Sequence, residues 1–439
     1  DILADVDALN LNNGKNAYGS GTWASCIRYH NNMYYVSTFS STTGKTYIYA
    51  TEDIEKGPWK TITFTPSYHD HTIFFDDDGR VYIIWGGGKL RIAELKPDLS
   101  GIKEGTERIF IENASAPDNV GLPAEGSQLF KVNGKYYLFN ITWPKGGMRT
   151  VVIHRADHIN GPWEGRIALQ DKGVAQGGLI DTPDGRWFAY LFRDNGAVGR
   201  IPYLVPVKWE EGWPVLGIDG KVPERLELPA SKGLIPGIVA SDEFTRKKKE
   251  AALSLVWQWN HNPDNSLWSV SERKGYLRLK TGRVDADFLS ARNTLTQRTV
   301  GPVCSGTTSV DVSNMKEGDF AGLALLQKKY GFVGVKYENG VKKIVMVSAQ
   351  ADKPEEVESL PLNQTVIFLK AECDFTDLKD IASFYYSLDG KKWIKIGSQL
   401  KMAYTLPHFM GYRFGLFNYA TKAAGGYVDF DYFRISDKK

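Results

Sequence analysis

Two acidic residues stand at matching places in neighbouring repeats of this sequence. Asp70 lies in the segment 67–75, just before a predicted strand, and Glu125 lies in the segment 122–130, one step before the next predicted hairpin. Two carboxylates that enter one pit are what acid-catalysed cleavage of a glycosidic bond needs. One keeps its proton for the leaving oxygen, and a neighbouring negative charge raises the pKa of that acid. A turn carboxylate that caps loop amides is the alternative for Asp70, and an exposed loop glutamate is the alternative for Glu125.

The repeats that carry these acids are strand–turn–strand units with aromatic second strands. Their turns fall at positions 32, 79, 134 and 185, about 50 residues apart. A Gly-Pro-Trp turn after an alternating strand recurs at Gly57 and Gly161. Hairpins at that period predict the blades of a β-propeller, in which side chains from several blades meet around one central pit.

The pattern changes after residue 237 to short alternating runs. Turns such as Asn339-Gly340 and Asp389-Gly390 separate some of them, and both dipeptides favour hairpins. We therefore predict an all-β chain, with a β-propeller over residues 1–237 and a jelly-roll-like β-sandwich over residues 238–439.

Composition and charge exclude several classes of partner. The net charge of +3 is too small to indicate nucleic-acid binding, and no run of 18 apolar residues predicts a membrane span. The three cysteines have no metal-ligand spacing, and no signal peptide is visible. The compartment is undetermined, and a periplasmic or secreted location is a hypothesis.

We expect no metal at the predicted pit and no required cofactor. Asp76-Asp77-Asp78-Gly79 lacks the alternating ligands and the distal glutamate of a calcium loop, and a β-turn explains it better. A structural calcium in the sandwich is one hypothesis for its acidic residues, and a solvent-exposed strand face is the other. The residues concerned are Asp242, Glu243, Asp429 and Asp431.

Four segments together resemble glycoside hydrolase family 43, whose members are five-bladed propeller enzymes that act on xylose- and arabinose-containing glycans. The matching segments are residues 69–79, 124–137, 176–187 and 199–209. The second half is similar to the concanavalin-like sandwich that many xylosidases of this family carry.

The resemblance implies an inverting hydrolase in which Glu125 is the general acid, while Asp70 tunes the pKa of that acid and orients it. Arg200 matches an arginine that contacts the sugar. Gln176 replaces a histidine that often serves a central ion, so we do not expect calcium in the propeller axis. The predicted substrate-binding set comprises Arg200, Trp23, His71, Trp143, Gln176 and Phe192. Packing in the core is the alternative for the three aromatic residues.

One part of the family pattern is missing. The general base of the family is an aspartate in the first blade, and no matching segment occurs here. Only four of the five expected blade units are found. We therefore expect the first blade and its aspartate upstream of residue 1, Asp5 and Asp7 as loop caps, and severely reduced hydrolysis by residues 1–439 alone.

The expected activity is cleavage of terminal xylose or arabinose from plant-type oligosaccharides or polysaccharide side chains. A non-catalytic carbohydrate-binding protein is one alternative, because no segment matches the general base of the family. A propeller interaction scaffold is another, although it would not need Asp70 and Glu125 at matching places.

Overall fold

A computed structural model describes residues 21–115, 120–228, 237–247, 252–351, 353–405 and 409–438. The described chain consists of strands with three short 3-10 helices, at Gly196–Val198, Phe288–Ser290 and Thr376–Leu378. No helix in this described part is long and apolar enough to cross a membrane.

Contacts divide the described chain into two compact units. The first takes residues 21–194 and 201–227, and the second takes residues 195–200 and those described from 228 onward. The predicted boundary after residue 237 stays a prediction.

The first unit contains four four-stranded antiparallel sheets, each built from strands consecutive in the chain. Their strands are β1 Ser25–His30, β2 Met33–Ser40, β3 Lys45–Thr51 and β4 Lys60–Phe64; β5 Thr72–Phe75, β6 Val81–Gly87, β7 Lys89–Glu94 and β8 Arg108–Ile111; β9 Val120–Val132, β10 Lys135–Pro144, β11 Thr150–Ala156 and β12 Glu164–Leu169; β13 Ala175–Asp181, β14 Trp187–Asp194, β15 Arg200–Glu210 and β16 Trp213–Leu216. These are four propeller blades among the described residues, and the predicted all-β propeller is confirmed to that extent.

The four predicted turns join the first two strands of each sheet. Asn133 and Gly134, for example, have φ values of 49° and 78°, and lie between β9 and β10. Positive φ at both central residues matches the twist of the flanking strands, which is why Asn and Gly occupy this turn.

Successive side chains of a strand pack alternately against the sheet before it and the sheet after it. Ile73 and Ile83 pack into the core between the first and second sheets. Phe74 and Ile84, the next residue in each strand, pack into the core between the second and third. Because successive side chains of a strand point to opposite faces, a blade with neighbours on both sides is apolar on both.

The outer faces of the first and fourth sheets also carry apolar side chains. Ile27 and Tyr29 on β1 are 48% and 60% exposed, and Ile180 on β13 is 48% exposed. Apolar side chains on these faces are typical of an interface between blades, but no further sheet covers them among the described residues.

Arg28 ties the first strands of three sheets together. Its Nε donates to the carbonyl oxygen of Ile73 at 3.0 Å, and its Nη2 donates to Thr72 Oγ1 at 2.5 Å and to Gln128 Oε1 at 2.9 Å. The guanidinium also lies over the Phe130 ring, 5.3 Å from its centroid. The rigid fork of an arginine suits such a multiple contact, which fixes the innermost strands relative to one another.

The second unit is the predicted β-sandwich of two antiparallel sheets. Its strands are β17 Gln258–Trp259, β18 Trp268–Ser269, β19 Leu277–Lys280, β20 Leu295–Arg298, β21 Val303–Asp311, β22 Asp319–Leu326, β23 Gly331–Glu338, β24 Val341–Ser348, β25 Glu355–Pro361, β26 Val366–Asp374, β27 Ile381–Ser387, β28 Ile394–Lys401, β29 Arg413–Ala420 and β30 Tyr427–Ser436. The sheet orders are β17-β20-β29-β22-β23-β24-β25 and β18-β19-β30-β21-β26-β27-β28. As predicted, Asn339-Gly340 joins β23 to β24, and Asp389-Gly390 lies between β27 and β28.

Candidate active site

Asp70 lies in the loop that leads into β5, and its backbone directs its side chain. Its φ of 46° is in the left-handed region, where aspartate is among the few non-glycine residues found. The residue is only 7% exposed, although it lies next to the exposed His69. Because of this change in backbone direction, the side chains of His69 and His71 point in different directions.

Glu125 lies in β9 where the strand departs from regular pairing. It stands opposite Ile141 on β10, with register irregularities on both sides of that pair. The next residue, Gly126, has a φ of 65°, and a Cβ there would lie 2.6 Å from Nε2 of Gln176. Irregular pairing of this kind re-aims a side chain, and glycine permits the close approach of Gln176.

His69, Asp70 and Glu125 converge at one point. One ligand-type atom of each lies within 4.8 Å of the others. Nε2 of His69 is 3.4 Å from Glu125 Oε2 and 3.8 Å from Asp70 Oδ2. The hydrogen bond with Glu125 is the largest cause that raises the pKa of His69 above 6.5, and the charges of Asp70 and Glu125 add to it. The two predicted acids therefore meet, with a histidine between them that the sequence analysis did not include in the site.

His71, predicted to bind substrate, lies inside the unit instead of at its surface. It is 2% exposed, with Nδ1 2.9 Å from the carbonyl oxygen of Tyr68 and Nε2 2.7 Å from Ser37 Oγ. Because a carbonyl oxygen only accepts, Nδ1 carries the proton and Nε2 accepts from the serine. Burial lowers the pKa of His71 to about 4. The neutral ring fixes the loop that carries Asp70.

Aromatic side chains lie near the acids and along the same end of the sheets. Trp23 is 39% exposed, and its ring centroid is 6.2 Å from that of His69. Trp143, 43% exposed, lies near the end of β10, and its indole N–H donates to the Gly147 carbonyl at 2.9 Å. Exposed tryptophans have the flat apolar surface on which sugar rings stack.

Phe192 and Trp143 hold an arginine that the sequence analysis missed. The Arg149 guanidinium is 5.3 Å from the Trp143 ring centroid and 5.9 Å from that of Phe192. Arg149 also pairs with Asp194. The arginine orders both rings, and no local sequence pattern indicates such a contact between distant strands.

Arg200 belongs to the second unit, where it packs against Phe409. Its guanidinium carbon is 4.1 Å from the Phe409 ring centroid, and its backbone N–H donates to the Phe409 carbonyl at 2.8 Å. Its predicted contact with the sugar stays a prediction.

Comparison with known proteins identifies both units. The family of glycosyl hydrolases 43 matches residues 3–214, and the β-xylosidase C-terminal concanavalin A-like domain matches residues 241–436. A putative β-xylosidase of Xylanibacter ruminicola is 31% identical over a 412-position alignment that covers 88% of this chain and 72% of the relative. The chain belongs to glycoside hydrolase family 43.

Two further proteins resemble this family 43 hydrolase. A non-reducing end α-L-arabinofuranosidase of Bacteroides ovatus is 25% identical over 71% of this chain and 61% of its own length. The solved structure of a bifunctional GH43-CE protein of Bacteroides eggerthii has a TM-score of 0.98 and 68% identity. The match covers 100% of the hydrolase and 57% of that protein.

Three of the four sandwich acids in the calcium hypothesis pair with arginines. Asp242 pairs with Arg246, and Asp429 pairs with Arg278. Glu243 pairs with Arg434. In the described ranges, the three residues at the active site are the one group of histidine, cysteine or acidic side chains with ligand spacing. The calcium hypothesis for the sandwich stays a prediction, and these ion pairs give it no support.

The buried His71 makes the stability of the propeller unit depend on pH. The unfolded chain binds a proton near pH 6.5 and the folded site resists it until about pH 4, so stability present above pH 6.5 is lost as pH falls towards 4. For this group the loss is up to about 3 kcal/mol. We expect His71→Asn to make the dependence between pH 6.5 and 4 shallower, as measured by denaturant unfolding at each pH. The buried His154, whose pKa burial also lowers to about 4, keeps its own contribution.

The exposed His158 of the same unit provides the control, and His158→Asn is expected to retain the wild-type dependence. An NMR titration of the wild type supplies a second measurement that needs no variant. A His71 ring that gains its proton at or above pH 6.5 would contradict the neutral buried assignment.

Proposed function

We propose that this family 43 hydrolase removes terminal xylose or arabinofuranose from plant-type glycans with inversion at the anomeric carbon. The observation that carries the proposal is the meeting of Asp70 and Glu125 beside exposed aromatic side chains. The names of the β-xylosidase and α-L-arabinofuranosidase relatives support the two sugars.

Glu125 acts as the general acid in this proposal. Its side chain is 25% exposed, which leaves it open to a leaving-group oxygen, whereas that of Asp70 is 8% exposed. A general acid must hold its proton until the glycosidic bond breaks. His69, hydrogen-bonded to Glu125, orients the carboxyl group.

Asp70 is the modulator and not the general base. An inverting enzyme needs its base and acid about 6.5–9.5 Å apart to leave room for the attacking water. The two carboxylates lie closer than that, since their ligand atoms are within 4.8 Å. This spacing supports a role for Asp70 in holding and tuning the acid.

In this proposal a fifth blade, outside the described residues, supplies the general base. Among the described residues, no third acid joins the cluster of His69, Asp70 and Glu125. The exposed Ile27, Tyr29 and Ile180 lie on the outer faces of the first and fourth sheets, where a fifth blade would be covered on both sides. Such a blade would complete the ring and bring one more inner strand to the pit.

The sugar ring is held by side chains at the rim. Trp23 and Trp143 supply stacking surfaces, and Phe192 supports Trp143 through Arg149. Gln176, packed on Gly126, supplies an amide beside the acid. The chemistry needs only carboxyl groups and water, so we propose that no cofactor is required.

The acid role predicts a dependence on the leaving group. Glu125→Gln removes the proton donor, so we expect 10²- to 10⁴-fold slower cleavage of xylobiose or arabinosyl oligosaccharides, whose leaving alkoxides need a proton. Cleavage of 2,4-dinitrophenyl xyloside, whose leaving group needs none, should fall much less. Both rates are measured by product release.

The matched control is Glu112→Gln, because Glu112 is an exposed glutamate that pairs with Lys89. We expect this variant to keep the wild-type rates with both substrates. Equal losses of Glu125→Gln on the two substrates, or no loss on the oligosaccharide, would refute the acid role.

The lack of a candidate general base among the described residues predicts rescue by an added nucleophile. Azide carries no proton that must be removed when it attacks the anomeric carbon, so its attack does not need a general base. The 4-nitrophenolate leaves as the carbon–oxygen bond breaks. We expect azide to raise 4-nitrophenol release from the 4-nitrophenyl pentoside by tenfold or more in residues 1–439, with an inverted pentosyl azide as the product. Chloride at equal ionic strength is the control, and rates insensitive to azide would rule out a missing base.

A further inference from the structure

Two buried cysteines face each other in the sandwich. Cys304 on β21 is the direct partner of Cys373 on β26 in an antiparallel register that is regular from Val303 to Asp311. Both side chains are 0% exposed. Directly opposed residues of antiparallel strands have Cα atoms about 4.5–5.5 Å apart, and disulfides span Cα separations of about 4.4–6.8 Å. The backbone therefore already has the spacing of a cross-strand disulfide.

The two side chains also point the same way, into the space between the sheets. Gly306 lies two residues after Cys304 and shares its face, and a Cβ there would lie 2.8 Å from the Phe414 ring on β29 of the other sheet. Burial, and then the hydrogen bond with the Cys304 thiol, raise the pKa of Cys373. The two sulfurs are thus in contact inside a closed core.

We propose that Cys304 and Cys373 are a covalent modification site, at which a disulfide forms when the chain folds in the presence of a thiol oxidant. A small-molecule disulfide exchanges first with one cysteine and is then displaced by the other. The two thiols lose two protons and two electrons as their S–S bond forms, and the oxidant's S–S bond is reduced to two thiols.

Burial sets when the reaction takes place. The thiolate is the attacking species, and a buried apolar site disfavours it. The bond therefore forms before the sheets close, and the folded core then protects it from reductants. The closed loop of about 70 residues constrains the unfolded chain and stabilises the sandwich.

Cys26 provides an internal comparison, since the chain has three cysteines. It lies in the first unit, 3% exposed, with Sγ 3.2 Å from Ser37 Oγ, and it has no described cysteine partner. A disulfide confined to the sandwich pair leaves this one thiol for alkylation.

The test is refolding of the reduced, unfolded protein in a mixture of reduced and oxidised glutathione. The product is denatured, alkylated with iodoacetamide, weighed intact and mapped by peptide digestion. We expect one alkylated thiol, at Cys26, a peptide link between Cys304 and Cys373, and a melting temperature of the sandwich roughly 10 °C above that of protein refolded with reductant.

Two variants separate the proposal from a general effect of oxidation. Cys304→Ala should give two alkylated thiols and no rise in melting temperature, whereas Cys26→Ala should give none and keep the rise. Three alkylated thiols in refolded wild type, a glutathione adduct in place of the link, or a link through Cys26 would overturn the proposal. The wild-type pattern decides even where Cys304→Ala fails to fold.

Discussion

The proposed function depends on one geometric constraint: an oxygen atom of each of two carboxyl groups and a histidine nitrogen are held within 4.8 Å of one another. Like charges at that separation repel, so a flexible chain would move them apart. Here the backbone holds them together. Asp70 is fixed by a left-handed turn, and Glu125 lies in an irregular stretch of β9 beside Gly126. The hydrogen bond with Glu125 and the charges of both carboxylates raise the pKa of His69, which lies between them.

The four-sheet framework makes that constraint possible. Interior strands packed on both faces leave little freedom to move, and Arg28 links the first strands of three sheets through hydrogen bonds to Ile73, Thr72 and Gln128. Asp70 lies in the loop before β5 and Glu125 lies within an irregular stretch of β9, where loops and irregular pairing give direction to side chains. Regular strands and local irregularities are thus complementary parts of one candidate site.

The positions of the two acids could be predicted from the sequence, because both acids precede equivalent hairpins of a repeat. Asn133-Gly134, for example, predicts the turn of the hairpin that follows Glu125. The directions in which the side chains next to Asp70 point could not be predicted from the sequence. Residues two apart in a strand point the same way, yet His69 lies beside Glu125 and His71 is buried, because the φ of Asp70 reverses the chain between them. Backbone reversals of this kind are set by tertiary packing.

Contacts between strands that are distant in the chain also could not be predicted from local sequence patterns. Asp429 was a hypothetical calcium ligand, but β30 lies between β19 and β21, which brings Arg278 on β19 to this carboxylate. The order of strands in a sheet is a long-range property, so neither this ion pair nor the Arg149 stack on Trp143 and Phe192 has a local signal.

The protonation of His69 tests the convergence of the carboxylates most directly, without requiring turnover. An NMR titration of its ring in wild type, Asp70→Asn, Glu125→Gln and the double variant should give a wild-type pKa above 6.5. Each single change should lower the pKa, Glu125→Gln more than Asp70→Asn, and the double change most. A wild-type pKa at or below 6.5 that neither substitution moves would mean that the carboxylates do not meet at His69.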